Sequence, residues 1–240
     1  MDSSKRCIIF LHGSGDSARI WRLQTEHFGA ERALAIDLPG HGQRVDTLAA
    51  EASVLDYARA VHTIITNELH LDHPIIAGQS LGGGIALMMA LEYGPELSGL
   101  ILIGTGVRLR VHPDLLESAR ATPQLALHQL KDQAVASTNI GILPDMLIKE
   151  LGTPGPNVLY RDLAACNTFD CMDHLQEIHM PVLIICGAED RLTPVKYSQY
   201  LHDKSGDSTL RIIPDAGHYV MREQPQAVNQ AIEQWTQEQS

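Results

Sequence analysis

The sequence of 240 residues lacks long apolar runs, a cysteine framework and an excess of basic residues. Its longest uninterrupted apolar run, Ile85–Leu91, is well short of the roughly 18 residues that a membrane-spanning helix needs. Met1–Arg6 is followed by only five apolar residues before His12, which is too few for the core of a secretory signal. We therefore expect neither a membrane span nor a cleaved leader.

Only four cysteines are present, which is too few for a disulfide scaffold, and none are spaced as C-x-x-C. Cys166 and Cys171 could be bridged, but reduced thiols and a cytoplasmic location are the preferred interpretation. The 12 histidines include no H-E-x-x-H or comparable cluster, so no metal site is predicted.

Basic residues are outnumbered by acidic ones, 18 to 29, which gives a formal net charge of −11. Such a surface repels phosphate backbones and anionic lipids, so the charge argues against nucleic-acid and membrane-surface partners. An apolar fraction of 44% is ordinary for a globular chain and excludes disordered and fibrous classes. The length suits one domain, as a monomer or a homodimer.

Short apolar runs alternate with segments of helical spacing. The spacing predicts helices at Val54–Leu69 and Pro225–Trp235. The predicted strands are Cys7–Leu11, Ala33–Ile36, Ile75–Ala77, Leu100–Ile103, Val182–Cys186 and Leu210–Ile213. This alternation predicts an α/β fold with a doubly wound, mainly parallel sheet of about six strands, flanked by helices.

The alternation is interrupted between residues 107 and 173, where no convincing strand is present. Helical spacing recurs at Asp114–Ala121 and Gln124–Ala136, and a Pro/Gly loop at Thr153–Pro156 divides the interval. We expect a helical cap, or lid, over the strand ends. Residues 1–106 and 174–240 would then form the core.

The third predicted strand leads into Gly78-Gln79-Ser80-Leu81-Gly82, a G-x-S-x-G pattern followed by a helix. A sharp turn from strand to helix forces its central residue into a strained backbone conformation and exposes that side chain above the sheet edge. The pattern alone is also compatible with an ordinary Gly/Ser loop. In this context it predicts Ser80 as a nucleophile.

A serine nucleophile needs a base, and the base needs an acid to fix its tautomer. Asp190 and His218 each follow an apolar strand, so both belong to the sheet edge of Ser80. Taken singly, they could be a turn residue and a polar loop residue. Together they complete the order Ser, Asp, His, with Asp173 and Asp215 as alternative acids.

A site for the developing oxyanion is expected after the first strand, in Leu11-His12-Gly13-Ser14-Gly15. We assign the oxyanion hole to the backbone amides of Ser14 and Leu81, and place His12 and Gly13 against the substrate. A phosphate-binding loop is the alternative, but neither G-x-G-x-x-G nor G-K-[ST] is present.

These motifs together resemble those of the α/β-hydrolase-fold serine hydrolases, a carboxylesterase- and lipase-like family. Two further segments match its D-x-P-G-x-G loop and its G-H-x-x-x-x-E-x-P ending, namely Asp37–Gly42 and Gly217–Pro225. The resemblance implies Ser80 as nucleophile, Asp190 as acid and His218 as base, with no metal or organic cofactor. The family's opening antiparallel pair is not expected, because only six residues precede Cys7.

The resemblance favours hydrolysis of carboxylic esters with small to medium uncharged acyl groups. The interval 107–173 holds six basic and eight acidic residues, so docking of coenzyme A or an acidic carrier is not favoured. Its apolar residues could line an acyl pocket or simply join the cap to the core, and Leu143 and Met146 are our choices for the pocket. A thioesterase, a C–C bond hydrolase and a non-catalytic ligand-binding protein remain alternatives.

Overall fold

The computed structural model describes residues 7–155 and 157–239. The predictions made for Met1–Arg6, and the end of the predicted loop at Pro156, lie outside these residues. Six parallel strands form one sheet in the order β2-β1-β3-β4-β5-β6. Their bounds are β1 Ile8–Leu11, β2 Ala33–Ile36, β3 Ile75–Gln79, β4 Gly99–Ile103, β5 Val182–Gly187 and β6 Ser208–Ile213. The predicted fold class is confirmed.

Helices connect the strands and fill the interval between β4 and β5. They are α1 Arg22–Phe28, α2 Val54–Thr63, α3 Leu81–Tyr93, α4 Pro113–Ala121, α5 Pro123–Ala134, α6 Leu143–Leu151, α7 Val158–Thr168, α8 Val195–Lys204, α9 Val220–Glu223 and α10 Pro225–Glu238. In the part of the chain described above, no helix has the length and apolar content needed to cross a bilayer.

Alternate residues of strands β1 to β5 face two apolar layers. In β4, Leu100 and Leu102 point into the layer formed with α2, α3 and α8, whereas Ile101 and Ile103 point into the layer with α1 and α10. All four side chains are almost completely buried. A strand that is buried on both faces needs an unbroken apolar sequence. Such strands can therefore be recognised in the sequence even though apolar and polar residues do not alternate in them.

The predicted helix Val54–Leu69 forms as one helical segment with a change of geometry. A capping box begins it: the Ser53 hydroxyl accepts from the Asp56 N–H, and the Asp56 carboxylate accepts from the Ser53 N–H. After Thr63 the segment widens into a π-helical turn, Ile64–Leu69, and it ends at His70, which adopts a left-handed conformation.

Helices α4 to α7, with their connecting loops, occupy the predicted interval, which we call the insertion (residues 107–173). The sequence pattern did not predict helices α6 and α7. The insertion has a small apolar cluster that includes Leu127, Leu130 and Leu163. Other side chains, such as Leu147 and Leu151, join the core layer of α1 and α10. It is therefore packed onto the core and shares part of its apolar interior.

A buried carboxylate also joins the insertion to the core. Asp162, in α7, accepts from the Gly15 N–H (3.0 Å) and lies 2.8 Å from Nε2 of His41 through the same oxygen. Its other oxygen accepts from the Tyr57 hydroxyl at 2.5 Å. Arg161, next to it in α7, donates to the same Tyr57 hydroxyl at 2.9 Å. Two core loops and α2 thus converge on one side chain.

Burial alone would raise the pKa of Asp162, but the neighbouring His41, together with the Tyr57 and Gly15 hydrogen bonds, lowers it below its usual value. The same pairing raises the pKa of His41, against the effect of its burial. A carboxyl group whose pKa is depressed by folding stabilises the folded state above its unfolded pKa. That stability is lost as the pH falls through the folded pKa.

The Asp162→Asn variant should lower the free energy of unfolding by about 3–5 kcal/mol, because it leaves buried partners without their carboxylate. The difference from wild type should be largest above about pH 4 and should narrow at lower pH, where the wild-type carboxylate takes up a proton. Urea unfolding between pH 3 and 7 measures both effects. Glu68→Gln, which breaks an exposed pair with Arg44, is the control and should change little. An equal loss of unfolding free energy in the two variants would contradict a stabilising role for the hydrogen bonds of Asp162.

Candidate active site

The turn between β3 and α3 holds Ser80 in a conformation that is rare outside glycine, with φ 54° and ψ −116°. Its N–H donates to the Ile103 carbonyl (3.1 Å), and its carbonyl accepts from the Thr105 hydroxyl (2.9 Å). The turn is therefore anchored on both sides to the end of β4. The serine side chain is half-buried and faces a cavity.

Two glycines make this turn sterically possible. A Cβ at Gly78 would lie 2.0 Å from the Gly82 carbonyl oxygen, and one at Gly82 would lie 2.4 Å from the Leu11 carbonyl oxygen. Both distances are far below contact distance and involve backbone atoms, which cannot rotate away. The G-x-S-x-G pattern is thus a requirement of close backbone approach.

The imidazole of His218 and the carboxylate of Asp190 meet at this sheet edge. Nδ1 of His218 lies 2.8 Å from Oδ2 of Asp190, and both residues are buried. This contact uses Nδ1 and leaves Nε2 of the ring for another partner. The alternative acids Asp173 and Asp215 form no hydrogen bond with His218 among the described residues.

Asp190 is held by groups that its sequence motif did not single out. Its Oδ1 accepts from the N–H groups of Leu192 (2.9 Å) and Thr193 (2.8 Å), and its Oδ2 accepts from the Thr193 hydroxyl (2.8 Å). Burial would raise the pKa of Asp190, but the nearby His218 and these hydrogen bonds bring it below its usual value. The carboxylate is ionised and fixed in orientation.

The loop that carries His218 is positioned by Glu223, the acidic residue of the G-H-x-x-x-x-E-x-P ending. One carboxylate oxygen accepts from the Gly217 N–H at 2.9 Å. The other accepts from the Ala136 N–H (2.7 Å) and the Asn139 amide (2.8 Å), both in the insertion. Glu223 therefore connects the loop of His218 to the insertion, a role that the motif alone did not reveal.

The loop after β1 lies directly against the serine turn. A Cβ at Gly13 would approach the Gln79 side chain to 2.3 Å, so glycine allows this close packing. Within the described residues, the backbone N–H groups of Ser14 and Leu81 donate to no protein acceptor. Leu81 is the first residue of α3, where the helix dipole favours a negative charge. Both amides are available for an anionic oxygen.

His12 lies in the protein core, away from the cavity. It is fully buried, its Nδ1 contacts the Gly13 carbonyl (2.9 Å), and its Nε2 accepts from the Leu38 N–H (3.0 Å). Burial, with a smaller contribution from His41, lowers the pKa of His12 to about 4, so the ring is neutral. The structure thus places His12, which we expected to contact substrate, between two loops of the core and outside the residues that line the cavity.

A cavity of about 250 Å³ joins these groups. Ser14, Ser80 and His218 line it, together with apolar side chains that come mainly from the insertion. The apolar lining consists of Leu109, Val111, Leu115, Leu130, Leu163 and Leu192. One side of the cavity is polar, because Asp16 and Tyr219 also line it. Both contact the buried ammonium of Lys131 in α5.

Leu143 and Met146 do not reach this cavity. Met146 is 56% exposed, and Leu143 packs against the core layer of α1 and α10. Helix α6 lies against the core at the segment that precedes α1, whereas the cavity is walled by α4, α5 and α7. The structure thus places both residues chosen for the acyl pocket outside this cavity, because apolar character alone does not show which helix faces Ser80.

Three comparisons with known proteins agree with this architecture. RutD of Escherichia coli strain K12, whose name proposes a carbamate hydrolase, is 26% identical over 92% of this chain and 88% of its own. A thermophilic esterase of known structure is 32% identical, with a TM-score of 0.84 over 98% of this chain and 91% of that one. An N-acyl homoserine lactone degrading enzyme is 25% identical, with a TM-score of 0.82 over 95% and 92%.

Two of these similar proteins, RutD and the thermophilic esterase, carry names of hydrolases. The sequence profile of the alpha/beta hydrolase family matches residues 8–231, which is nearly the whole chain. The match includes the serine turn, the loop after β1 and the segments that carry Asp190 and His218. The sheet order and the placement of these segments at its carboxyl edge agree with that match. The chain is a hydrolase and belongs to the alpha/beta hydrolase family.

Proposed function

We propose that this protein is a serine hydrolase that cleaves carboxylic esters of small to medium uncharged acyl groups through an acyl-enzyme. One observation carries the proposal: a strained serine, a carboxylate-bound imidazole and the Ser14 residue line the same cavity, and the unpaired amide of Leu81 directly follows the serine. Ser80 is the nucleophile, His218 the base and Asp190 the acid. The amides of Ser14 and Leu81 form the oxyanion hole.

The mechanism follows from the positions of the hydrogen-bonding atoms. Because Asp190 occupies Nδ1 of His218, Nε2 is the atom that accepts the Ser80 proton as the hydroxyl attacks the ester carbonyl. The carbonyl oxygen becomes negative and accepts from the two amides. His218 then gives its proton to the departing alcohol oxygen, and a water activated by the same imidazole hydrolyses the acyl-enzyme.

The size and lining of the cavity favour acyl groups of limited length. Its volume of about 250 Å³ lies below the range of about 300–1,000 Å³ that is common for drug-sized ligands. Leu115 and Leu130 bring apolar surface from the insertion into the space next to Ser80. The insertion, which we propose to be a cap, would select the acyl chain while the core performs the chemistry.

Carbamate hydrolysis is a second candidate because of the similarity to RutD over most of both chains. The carbonyl of an aryl carbamate is attacked in the same way, its phenol oxygen leaves with the proton from His218, and water then hydrolyses the carbamoyl-serine. A panel of butyrate esters, aryl carbamates and butyrate thioesters assayed with the same enzyme preparation would rank these reactions. The ester proposal requires the largest kcat/KM on the esters.

Replacing the nucleophile should separate activity from folding. Ser80→Ala should unfold at nearly the wild-type denaturant concentration, because the side chain is half-buried and the backbone turn is set by its neighbours. Hydrolysis of p-nitrophenyl butyrate and labelling by a fluorophosphonate probe should both be lost. Ser137→Ala, at an exposed serine of the insertion, is the matched control and should keep both. Turnover that persists in Ser80→Ala would exclude Ser80 as the nucleophile.

The acid should act through the orientation and tautomer of the imidazole. Asp190→Asn should lower kcat by about 10³- to 10⁴-fold, as expected when the carboxylate that orients a catalytic histidine is lost. Asp215→Asn, in the same group of loops, should retain activity because it has no contact with His218. Steady-state assays over pH 6–9 measure both variants. Retained activity in Asp190→Asn would contradict the assignment.

A polar substitution in the cavity should shift chain-length preference. Leu115→Ser should reduce kcat/KM more for octanoate than for acetate esters, because each withdrawn methylene forfeits up to about 0.8 kcal/mol of burial. Met146→Ser, on the exposed surface of the same insertion, is the control and should leave the preference unchanged. Equal losses at every chain length in Leu115→Ser would show that the side chain only supports folding.

A further inference from the structure

A second recess adjoins the catalytic cavity. Its volume is about 300 Å³, and it shares two walls with the cavity of Ser80, the side chains of Arg110 and Tyr197. The lining of this recess consists of Val107, Arg108, Arg110, Met172, Lys196, Tyr197 and Tyr200. The recess and the cavity of Ser80 therefore adjoin each other at Arg110 and Tyr197.

The recess is positively charged in a protein of net charge −11. Three of its side chains are cationic: Arg108, Arg110 and Lys196. One carboxylate offsets them, since Asp170 lies 2.7 Å from Nε of Arg108 and 3.9 Å from Nη2 of Arg110. Lys196 forms no ion pair within the described residues. The three cations and one carboxylate leave a surplus of two positive charges at the recess.

The two arginines are fixed by backbone contacts between residues 107–111 and 167–171. The Cys171 N–H donates to the Val107 carbonyl at 3.0 Å, and Arg108 pairs with Asp170 in an isolated β-bridge. The Arg110 guanidinium donates to the Asn167 carbonyl at 2.5 Å. A guanidinium held by one carbonyl keeps further N–H donors, so it can still bind an anion.

The aromatic wall is fixed as well. Tyr197 lies against Gly106, where a Cβ would come within 2.8 Å of its ring. Tyr197 and Lys196 belong to the first turn of α8, so the helix dipole adds a favourable field for a negative group. The recess therefore combines pre-positioned guanidinium groups, a lysine without an ion-pair partner and a rigid aromatic side.

We propose that this recess binds a carboxylate at the end of the alcohol arm of the ester, so that the substrates are O-acylated hydroxy acids. This inference rests on the proposed ester hydrolysis and refines it. The apolar side of the cavity accepts the uncharged acyl chain, which leaves the basic recess for the departing alcohol. When the acyl C–O bond breaks, the alcohol oxygen takes its proton from His218, and the product is a free hydroxy acid.

A pair of substrates that differ in one charge tests the proposal. The 4-carboxyphenyl and 4-carbamoylphenyl esters of butyrate have the same acyl group and nearly the same shape, but only the first carries a carboxylate. The charged-to-neutral ratio of kcat/KM should fall about fivefold in Lys196→Met, the upper range for a solvent-exposed ion contact, and further in Lys196→Glu. Lys204→Met removes the same charge from the other end of α8 and should keep the wild-type ratio.

Binding without turnover provides an independent measurement. Calorimetric titration of Ser80→Ala with 4-hydroxybenzoate should show tighter binding than titration with 4-hydroxybenzamide, and Lys196→Met in the same background should remove the difference. A ratio unchanged by Lys196→Met, or equal binding of the two phenols, would overturn the proposal. Failure of the neutral ester to react in the wild type would instead refute the ester hydrolysis itself, and the titration would still decide whether the recess binds carboxylates.

Discussion

The close approach of three backbone segments at the end of β3 sets the geometry on which the site depends. Leu11, Gly78 and Gly82 come so near one another that no Cβ fits at either glycine. This crowding forces the strand to turn directly into α3. The turn gives the backbone of Ser80 its positive φ angle. The same turn orients the first amide of α3 beside the serine. The positions of Ser80 and of the Leu81 amide thus depend on one steric constraint.

Much of this arrangement could be predicted from the sequence because its signals are local. Buried parallel strands need continuous apolar runs, and the predicted bounds of all six strands agree with the structure to within two residues. The residues that follow a strand in a parallel sheet must lie at its carboxyl edge. For that reason Ser80, Asp190 and His218 could be placed together from their positions after the strands, and the structure does bring them together.

Features that depend on how the insertion packs could not be predicted. Leu115 and Met146 look alike in sequence, yet one lines the cavity and the other faces solvent, because only the orientation of whole helices distinguishes them. His12 looked like a substrate contact because it adjoins the oxyanion loop, but its partner Leu38 is 26 residues away. The contacts of Asp162 with Gly15 span an even larger separation. Contacts between residues so far apart in the chain leave no recognisable pattern among neighbouring residues of the sequence.

For the proposed mechanism, the two-sided hydrogen bonding of Glu223 links the position of the insertion to that of His218. Its carboxylate links Ala136 of the insertion to Gly217, the neighbour of His218. A movement that lifts this part of the insertion away from the core would remove the donors of Ala136 and Asn139 from the Glu223 carboxylate. The loop that carries His218 would then be held less firmly. Under the proposed mechanism, opening near Ala136 would thus displace His218 and lower activity, whereas opening around α4, which makes no such contact among the described residues, would admit an ester without disturbing His218.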